Sequence, residues 1–397
     1  MNQAVVSLNS GSSSIKFALY TIADDEPVRV FGGKIEGIGT APRLMAREAD
    51  GTVLVDRSWP DSATLPHGTL LQEFFQWAGA LTTDYEIIGI GHRIVHGGTD
   101  FAAPVLVDED IIAALDALSP LAPLHQPHNL SAVRALREFA PHLPQIACFD
   151  TAFHHGRADA TTRFALPRAL YDAGVRGYGF HGISYEYIAQ TLARHDPELA
   201  AGRVVVAHLG NGASMCAIHD GRSVDTSMGF STVDGLMMGT RCGTLDPGVV
   251  LYLQTALGYS AEDIAHMLYK QSGLLGVSGI SSDMRELTAS DRPEAAAAVD
   301  MFVWRAARHA AALATTMGGL NGLIFTAGIG ENSAPVRARI CQHLAWLGLV
   351  TDRDANDRND PVISAPESAI TVGIIPTDEE WMIARHTLDV LQQPEAV

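Results

Sequence analysis

Basic residues are scarce in this sequence of 397 residues, which has 27 Lys and Arg against 45 Asp and Glu and a formal net charge of −18 at pH 7. An acidic chain repels the phosphates of nucleic acids and anionic lipid surfaces, so we expect neither a nucleic-acid partner nor a membrane partner. Any anionic substrate must then be bound by a few locally placed Arg and Lys side chains, because the overall field of the protein opposes it.

Cysteine is also rare. The four cysteines include no Cys-x-x-Cys pair, and in a chain of this length they are typical of reduced, mostly buried thiols. The first nine residues lack a basic stretch followed by a long apolar run, and no uncharged apolar run approaches the length that crosses a bilayer. These features predict a cytoplasmic protein without a signal peptide.

The phosphate-binding motif GxxxxGK[ST] is absent, so the sequence is not that of a P-loop protein. Instead, three glycine-rich turns follow predicted strands, at Asn9–Ser14, His208–Ala213 and Gly328–Asn332. Glycine lets backbone N–H groups approach an anion closely, and hydroxyl and amide side chains add donors. One such turn alone is more often an ordinary tight turn, but three of them, with Lys16 beside the first, favour a bound polyphosphate.

Predicted strands alternate with predicted helices along the chain, which indicates an α/β fold. The length exceeds what one hydrophobic core usually supports, so two domains are expected. The clearest predicted strands are Gln3–Leu8, Ile15–Leu19, Glu86–Gly91, Gln145–Phe149, Arg203–Leu209, Ser214–His219, Gly322–Ala327 and Ala369–Ile375. The clearest predicted helices are Thr69–Trp77, Ile111–Leu118, Pro293–Met317 and Thr377–Leu391.

A weak internal repeat of strand, glycine-rich turn and strand links the two halves of the chain. One alignment matches Leu8 with Leu209 and Phe17 with Ile218, although any two hairpins can produce such a match. The last predicted helix has Thr377 as its N-cap.

Three residues downstream of this cap, Glu380 fits a capping box. The helix dipole gives Glu379 and Glu380 a structural explanation. No linker composition marks the domain boundary, which we place near Asp150.

Two arginines stand out in the apolar central segments. Arg93 lies just before His96-Gly97-Gly98, and Arg241 lies in Gly239–Gly243, so glycines are close to both. A guanidinium group binds carboxylate and phosphate through two parallel hydrogen bonds, which makes both residues candidates to bind an anionic substrate. Taken singly, each is equally well explained as a surface or salt-bridged arginine.

Among the histidines, His181 in the loop-like segment Gly179–Gly182 is the best catalytic candidate, although a lone histidine is usually structural. His92 and His96 have the spacing of zinc-binding helices, but their surroundings predict strand and loop, so no zinc site is expected. Asp150 follows a buried predicted strand, which is where α/β proteins place ligand-binding groups.

Together these segments resemble the acetate kinase family, and the resemblance runs from Val5 to about His386. The matching segments, in the family's order, are Asn9–Phe17, His92–Gly98, Phe149–Phe153, Tyr178–Gly182, His208–Ser214, Asp225–Phe230 with Gly235–Arg241, Phe325–Ser333 and Pro376–Ile383. Chance does not place so many specific motifs in one order.

The resemblance implies the fold of actin, sugar kinases and Hsp70 chaperones, with two duplicated actin-like, ribonuclease H-like domains and a nucleotide cleft between them. The N-terminal domain would comprise residues 1–150 plus about 381–397, and the C-terminal domain would comprise residues 151–380 with nucleotide and dimer surfaces. The resemblance also implies a homodimer. The implied reaction is reversible transfer of the γ-phosphoryl group of ATP to acetate, giving acetyl phosphate and ADP, with Mg²⁺, or Mn²⁺ in its place, as cofactor.

By position, the resemblance gives the metal ion to Asn9 and Glu379 and the substrate carboxylate to Arg93. His181 and Arg241 would stabilise the transferring phosphoryl group, and Asp150 matches the family's essential acidic residue. The remaining substrate-binding residues would be Val95, Leu124, His125, Phe180 and Thr232. The nucleotide would be held by Ser12, Ser14, Lys16, His208, Leu209, Gly210, Asn211, Gly212, Asp283, Met284, Arg285, Gly328, Ile329, Gly330, Glu331 and Asn332.

The chemistry of the implied substrate bears on Asp150. Acetate is already ionised at pH 7 and is itself the nucleophile, so no proton has to be removed. Catalysis then consists of positioning and charge neutralisation in an in-line transfer. We therefore expect Asp150 to act in the Mg²⁺ shell or as an orienting group rather than as a general base.

Several positions depart from the family's pattern. Gln126 stands where the family usually has Asn, Tyr185 where it has His, and Thr244 where it has an acidic residue; the segment 155–162 also drifts. The largest change is in residues 231–234, where Thr232 replaces a proline of the acyl pocket. One methylene of substrate is worth only about 1–3 kcal/mol of discrimination, so propionate or butyrate remains an alternative substrate.

Three further alternatives are less favoured. A non-catalytic ATP-binding module has no need of Arg93 and Arg241 together. An inactive kinase is disfavoured because all the charged positions taken from the family are filled. A pyrophosphate-using relative is disfavoured by the intact Gly328-Ile329-Gly330 segment.

Overall fold

The computed structural model describes residues 2–11, 14–59, 67–123 and 125–393; the predicted site residues Ser12 and Leu124 lie outside them. The chain forms two compact units. Unit 1 comprises Met1–Phe153 and Asp378–Val397, and unit 2 comprises His154–Thr377. In the part of the chain that the structure describes, no helix is long and apolar enough to cross a membrane.

The described strands are β1 Asn2–Ser10, β2 Ser14–Ala23, β3 Glu26–Glu36, β4 Arg43–Glu48, β5 Val53–Ser58, β6 Tyr85–Ile94, β7 Val105–Leu106, β8 Gln145–Phe149, β9 Arg203–Leu209, β10 Ala213–His219, β11 Arg222–Thr226, β12 Gly322–Thr326 and β13 Thr371–Ile374. The described α-helices are α1 His67–Leu81, α2 Glu109–Ala117, α3 Gln126–Phe139, α4 Asp159–Thr162, α5 Arg168–Asp172, α6 Gly182–His195, α7 Pro197–Ala200, α8 Pro247–Thr255, α9 Ala261–Lys270, α10 Gly273–Ser278, α11 Met284–Thr288, α12 Pro293–Met317, α13 Ala327–Asn332, α14 Ala334–His343, α15 Arg353–Asp357 and α16 Glu379–Gln392.

The sheet of unit 1 has the strand order β5-β4-β3-β2-β1-β6-β8-β7, in which β6 and β8 run parallel to β1. Successive residues of a strand point to opposite faces, so Phe17 and Ala18 of β2 belong to different cores. Phe17 packs against Phe74 of α1 with ring centroids 4.6 Å apart. Ala18 lies with Val5 and with Ala384 of α16. Helices thus cover both faces of the sheet, and all five residues of β8 are buried, as expected for such a strand.

Helix α16 belongs to unit 1 although it follows the whole of unit 2 in the sequence. It lies directly on β6 at Gly91, where a Cβ atom would stand 2.1 Å from Thr387 Oγ1 and 2.6 Å from Ile383 Cγ2. Only glycine permits so close an approach of helix and strand. The absent side chain at Gly91 therefore allows the last helix to complete one face of unit 1.

The sheet of unit 2 has the order β11-β10-β9-β12-β13, with β12 parallel to both β9 and β13. The strands β3-β2-β1-β6-β8 of unit 1 have the same order and the same directions. The predicted duplicated α/β fold is confirmed. The predicted alignment of the two hairpins is wrong in detail, because Leu8 pairs with Phe17 whereas Leu209 pairs with Ala213.

Most predicted elements are present with ends shifted by a few residues, but two local predictions are wrong. The segment Gly328–Asn332, predicted as a turn, is helical in α13, because Glu331 Oε1 accepts the Ala327 N–H at 2.8 Å and closes one helical turn. The N-cap of α16 is Asp378 rather than Thr377, and its carboxylate accepts the Trp381 N–H at 2.8 Å. Thr377 is used elsewhere, with its hydroxyl 2.8 Å from Ser184 Oγ.

Candidate functional site

Arg93 and Asp150 form an ion pair at one edge of the unit 1 sheet. Arg93 is the second-last residue of β6, Asp150 follows β8, and Asn9 lies near the end of β1, so three neighbouring parallel strands bring the three side chains together. Arg93 Nε donates to Asp150 Oδ1 at 3.0 Å, and Nη2 donates to Oδ2. Nη1 donates to Asn9 Oδ1 at 3.3 Å. The plane of the guanidinium group is fixed by these contacts.

The pair is largely shielded from water, with 16% of the Arg93 side chain and 1% of the Asp150 side chain exposed. Burial by itself lowers the pKa of Arg93, but the carboxylates of Asp150, Glu379 and Glu380 raise it above its ordinary value. A buried charge is tolerated where its partner makes hydrogen bonds of good geometry. Asp150 is thus engaged as the orienting partner of a cation, which supports our expectation that it is not a general base.

The start of α16 brings two more carboxylates to this edge. Lys16 pairs with Asn9 across β1 and β2, and its Nζ lies 3.7 Å from Glu380 Oε1. Glu380 raises the pKa of Lys16, and Glu379 adds to this effect. Burial, helped by the charge of Glu379, raises the pKa of Glu380, whereas Lys16 lowers it. The edge therefore has both cations for phosphate and carboxylate or amide oxygens for a hard metal ion.

The loop after Arg93 is held by three side chains that sequence reasoning did not select as site residues. The N–H groups of Val95, His96 and Gly97 donate to Asn129 Oδ1 at 3.0 Å, to Gln126 Oε1 at 3.2 Å and to Thr151 Oγ1 at 3.0 Å. The Gln126 amide also donates to the carbonyls of His96 and Leu115. Gln126, which departs from the family pattern, therefore fixes the loop. These contacts join residues that are 30 or more positions apart in the sequence, so no local sequence pattern reveals them.

The remaining unit 1 candidates differ in exposure. Val95 is 2% exposed, and His125, the residue before α3, is half-buried. His92 and His96 are buried, and burial lowers the pKa of each to about 4. These two imidazoles are neutral at pH 7 and belong to the interior of the unit.

In unit 2, three of the predicted nucleotide-binding segments line one cavity of about 800 Å³. The lining residues come from the turn after β9, from the start of α11 and from the region of α13 and α14: Gly210, Asn211, Ser282, Asp283, Met284, Arg285, Thr288, Gly328, Ile329, Asn332, Ser333 and Pro335. Ser282, Thr288, Ser333 and Pro335 were not predicted. Each lies within a few residues of a predicted nucleotide-binding segment, so its position next to that segment in the sequence is the signal that could have identified it.

Two features shape this cavity. Asp283 accepts three hydrogen bonds from the Arg285 guanidinium and one from the Arg285 N–H, and these hydrogen bonds lower the pKa of Asp283. Ala327 has φ of 63°, a left-handed conformation that is strained for a residue with a Cβ. This left-handed conformation turns the chain from β12 into α13, whose residues Gly328, Ile329 and Asn332 line the cavity.

Other predicted nucleotide-binding residues lie elsewhere. The Glu331 carboxylate is occupied by the N–H groups of Ala327 and Thr377. Leu209 is fully buried in the core, and the carbonyl of Gly330 accepts from Arg337 at 2.9 Å. In unit 1, the carbonyl of Ser14 accepts from the N–H of Gly11 at 2.8 Å.

His181 and Arg241 converge on Gly212. His181 precedes α6 with φ of 58°, and its ring is stacked on that of His208 with centroids 4.3 Å apart. A Cβ atom on Gly212 would lie 3.4 Å from His181 Nε2 and 3.9 Å from Arg241 Nη1. His181 Nδ1 lies 2.8 Å from Ser214 Oγ. One imidazole and one guanidinium group thus lie together at the turn after β9, an arrangement suited to an anion.

The acyl-pocket candidates of unit 2 are Phe180, 1% exposed, and Thr232, 8% exposed. The carbonyl of Thr232 accepts from Arg241 Nη1 at 2.9 Å, so the residue that departs from the family positions a candidate catalytic arginine through its backbone. Thr244, another departure, donates to Asp234 Oδ1 at 3.3 Å and stabilises the local loop.

Known proteins similar to this chain are acetate and propionate kinases. The model of the Acetokinase family matches residues 4–385. An acetate kinase from Rhodopseudomonas palustris is 50% identical over 392 residues, which cover 97% of this chain and 98% of that protein. A solved propionate kinase from Francisella tularensis has a TM-score of 0.89 and 36% identity, and the match covers 98% of this chain and 100% of that chain. The acetate kinase of Porphyromonas gingivalis has a TM-score of 0.85 and 36% identity, with the same coverage.

Proposed function

The chain belongs to the acetokinase family, and on this premise we propose that it transfers the γ-phosphoryl group of ATP to acetate, giving acetyl phosphate and ADP. The proposal rests on relatives named acetate kinase that match nearly the full length of the chain. Among the features of the structure, the fixed guanidinium group of Arg93 supports it most directly, because a small carboxylate needs an oriented cation.

The hydrogen bonds of Arg93 leave room for such a substrate. A guanidinium group has five N–H donors, and among the described residues Arg93 uses two on Asp150 and one on Asn9. The two other donors are available for a carboxylate. The role of Asp150 is then to hold the plane of the guanidinium group.

The reaction proposed is an in-line displacement at phosphorus. An oxygen of the acetate carboxylate forms a bond to the γ-phosphorus, and the bond from that phosphorus to the β–γ bridging oxygen breaks as ADP leaves. No proton moves, because acetate is already an anion. His181 Nε2 and Arg241 Nη1 are the donors that we assign to the oxygens of the transferring phosphoryl group.

We assign the nucleotide to the 800 Å³ cavity of unit 2, with Asp283, Met284 and Arg285 on one side and Gly328 and Ile329 on another. The backbone N–H groups of the glycine-rich turn after β9 suit the phosphates. Lys16 of unit 1 is the further cation that we assign to phosphate.

The proposed cofactor is Mg²⁺, held by Asn9 and Glu379 with Asp150 near them. Carboxylate and amide oxygens are ligands that this ion prefers, and it is usually bound through one or two carboxylates together with substrate phosphates. Within the described residues, no group of three or more His, Cys, Asp and Glu side chains is arranged to hold a metal ion. When bound, the ion neutralises charge on the phosphates. Mn²⁺ is expected to substitute because it accepts the same oxygen ligands.

Propionate is the second candidate substrate. It is favoured by Thr232 in place of the family's proline and by the similarity to the solved propionate kinase. A single methylene of substrate is worth about 1–3 kcal/mol of discrimination. We therefore expect both acids to be phosphorylated, with different values of kcat/KM.

We also propose that the protein is a homodimer, joined through unit 2. Helix α8 has the apolar sequence PGVVLYLQT, yet none of its residues is buried. Leu251 and Tyr252 are 60% and 58% exposed, and Leu257 after the helix is 53% exposed. An apolar helix left so exposed is typical of a surface that a partner covers. We propose that the protein is located in the cytoplasm, since all four of its cysteines are free thiols.

The proposed function is tested by measuring ADP release from Mg·ATP with acetate, propionate or butyrate, and with no acid as a blank. Turnover that is fastest with acetate and falls along the series supports acetate kinase activity. A preference for propionate or butyrate would keep the mechanism and change the substrate. Absence of acid-dependent ADP release with all three acids would overturn the assignment.

A further inference from the structure

Tyr185 is buried one helical turn after His181, and the two side chains meet at a single serine. Tyr185 Oη lies 2.5 Å from Ser214 Oγ, and Ser214 Oγ lies 2.8 Å from His181 Nδ1. Tyr185 and Ser214 are both 0% exposed. The three groups form a short chain of hydrogen bonds from the core of unit 2 to the histidine that we assign to the phosphoryl group.

The direction of these hydrogen bonds follows from the protons available. Burial raises the pKa of Tyr185 well above its ordinary value, so the phenol keeps its proton. Among the described residues, Ser214 Oγ is the hydrogen-bond partner of that phenol. Tyr185 must then donate to Ser214, because the opposite direction leaves a buried O–H without an acceptor, at a cost of about 1–3 kcal/mol.

The direction of the hydrogen bond from Tyr185 to Ser214 also sets the direction of the next one, between Ser214 and His181. A hydroxyl group has one proton to donate, and among the described residues the partners of Ser214 Oγ are Tyr185 Oη and His181 Nδ1. Since Ser214 accepts from Tyr185, His181 Nδ1 is the acceptor for the Ser214 proton. A neutral imidazole that accepts at Nδ1 has its proton at Nε2. The Nε2 atom is the one that lies beside Gly212 and Arg241.

We infer that Tyr185 is a positioning residue that acts through Ser214 to hold His181 as the tautomer with a proton on Nε2, so that this nitrogen donates to an oxygen of the transferring phosphoryl group. The last clause rests on the proposed function, whereas the tautomer does not. Tyr185 is also a departure from the acetate kinase pattern, in which a histidine is usual. The phenol therefore supplies here a donor that fixes the proton on His181.

The tautomer can be read without any measurement of activity. Two-bond ¹H–¹⁵N correlation spectra of protein labelled with ¹⁵N-histidine distinguish the two neutral tautomers, and the His181 signals are identified by their loss in His181→Gln. We expect the Nε2–H tautomer in the unmodified protein and a mixture of both tautomers in Tyr185→Phe. The Nδ1–H tautomer in the unmodified protein would overturn the inference even if the enzyme is fully active.

Kinetics give a second readout. Tyr185→Phe is expected to lower kcat roughly tenfold, since one oriented hydrogen bond is lost, and to change the KM for ATP and for the acid by less than about twofold. Ser214→Ala should cause a similar loss. The double variant should lose little more than either single variant, because both act on one chain of hydrogen bonds. The matched control is Tyr171→Phe, whose hydroxyl contacts Asp159 and Thr162 instead.

The outcomes separate the two proposals. An unmodified protein without acid-dependent ADP release refutes the proposed function, while its spectrum still tests the tautomer. An unchanged tautomer and unchanged kcat in Tyr185→Phe would overturn the inference. If Tyr185→Phe does not fold, shown by loss of its thermal transition, the spectra of the unmodified protein and of Ser214→Ala decide the question.

Discussion

At the scale of single residues, the Arg93–Asp150 pair is the most sharply defined part of the candidate site. The guanidinium group makes two hydrogen bonds to one carboxylate and a third to Asn9. A planar group held at three of its five donors cannot rotate without losing one of them. The substrate recognition that we propose for Arg93 is thus expected to depend on Asp150, even if Asp150 makes no contact with the substrate.

Replacing Asp150 with Asn is expected to lower kcat/KM for acetate by about 100-fold or more, because a small misplacement of a positioning group costs on this scale. The fold should lose about 3 kcal/mol of stability, since Arg93 remains buried without a carboxylate partner. Steady-state kinetics and urea unfolding measure the two effects.

The matched control is Asp116→Asn, which removes the same charge from the exposed ion pair with Arg134. It should change stability by less than about 1 kcal/mol and leave the kinetics unchanged. Near-normal activity and Mg²⁺ dependence in Asp150→Asn would contradict the role given to Asp150.

Sequence reasoning found the charged residues of the site but not the neutral residues that hold them. Arg93, Asp150 and His181 stand out because charged or histidine side chains are unusual in apolar, glycine-rich segments. Gln126 and Ser214 act through contacts with residues about 30 positions away. Such contacts form only once the sheet has formed, so no local sequence pattern predicts them.

At the scale of secondary-structure elements, the packing of α16 on β6 depends on one missing side chain. Gly91→Ala would place a methyl group 2.1 Å from Thr387 Oγ1, so the helix must shift. Overpacking of this kind typically costs about 1–3 kcal/mol. A lower urea midpoint, together with faster hydrogen exchange in α16, is the expected result.

Gly79→Ala is the appropriate comparison, because a Cβ atom at Gly79 in α1 has nothing within 4 Å. This change should stabilise the protein by up to about 1 kcal/mol, since alanine favours the helix more than glycine does. Equal effects of the two substitutions would show that α16 does not press against Gly91.

The elements also show which local signals decide an assignment. The strand Arg203–Leu209 and the helix Pro293–Met317 were predicted with their observed ends, because each is long and uniform. Thr377 and Asp378 are both good N-caps by residue type. The choice fell to Asp378 because the Thr377 hydroxyl is hydrogen-bonded to Ser184, a contact absent from the local sequence.

At the scale of the whole molecule, three buried neutral histidines make stability depend on pH. Burial lowers the pKa of His92 and His96 to about 4 and that of His154 to about 3. In an unfolded chain the pKa of histidine is about 6.5. As pH falls below about 6.5, the unfolded state binds protons that the folded state does not, so acid favours unfolding.

The free energy of unfolding is therefore expected to decrease from about pH 6.5 toward pH 4, with a slope of up to about 1.4 kcal/mol per pH unit for each histidine. Urea unfolding at several pH values measures this slope. His154→Gln should reduce it by one histidine's share. A stability that is constant over this range would contradict the buried neutral state.

The second prediction at this scale concerns assembly. Leu251→Glu with Tyr252→Glu is expected to give a monomer by light scattering, because charges on an apolar contact surface oppose association. Leu106→Glu changes a residue of unit 1 that is 54% exposed, close to the 60% of Leu251, and should leave the dimer intact. A dimer that survives the double substitution would place the contact elsewhere.

The chain leaves unit 1 at Phe153 and returns to it at Asp378, and this order has a consequence for biosynthesis. A ribosome makes the strands of unit 1 before unit 2, but the helix that covers Val5, Ala18 and Tyr20 is made only after the whole of unit 2. Unit 2 is continuous in sequence and can be finished earlier. The nascent strands of unit 1 therefore keep one apolar face uncovered while more than 200 further residues are synthesised.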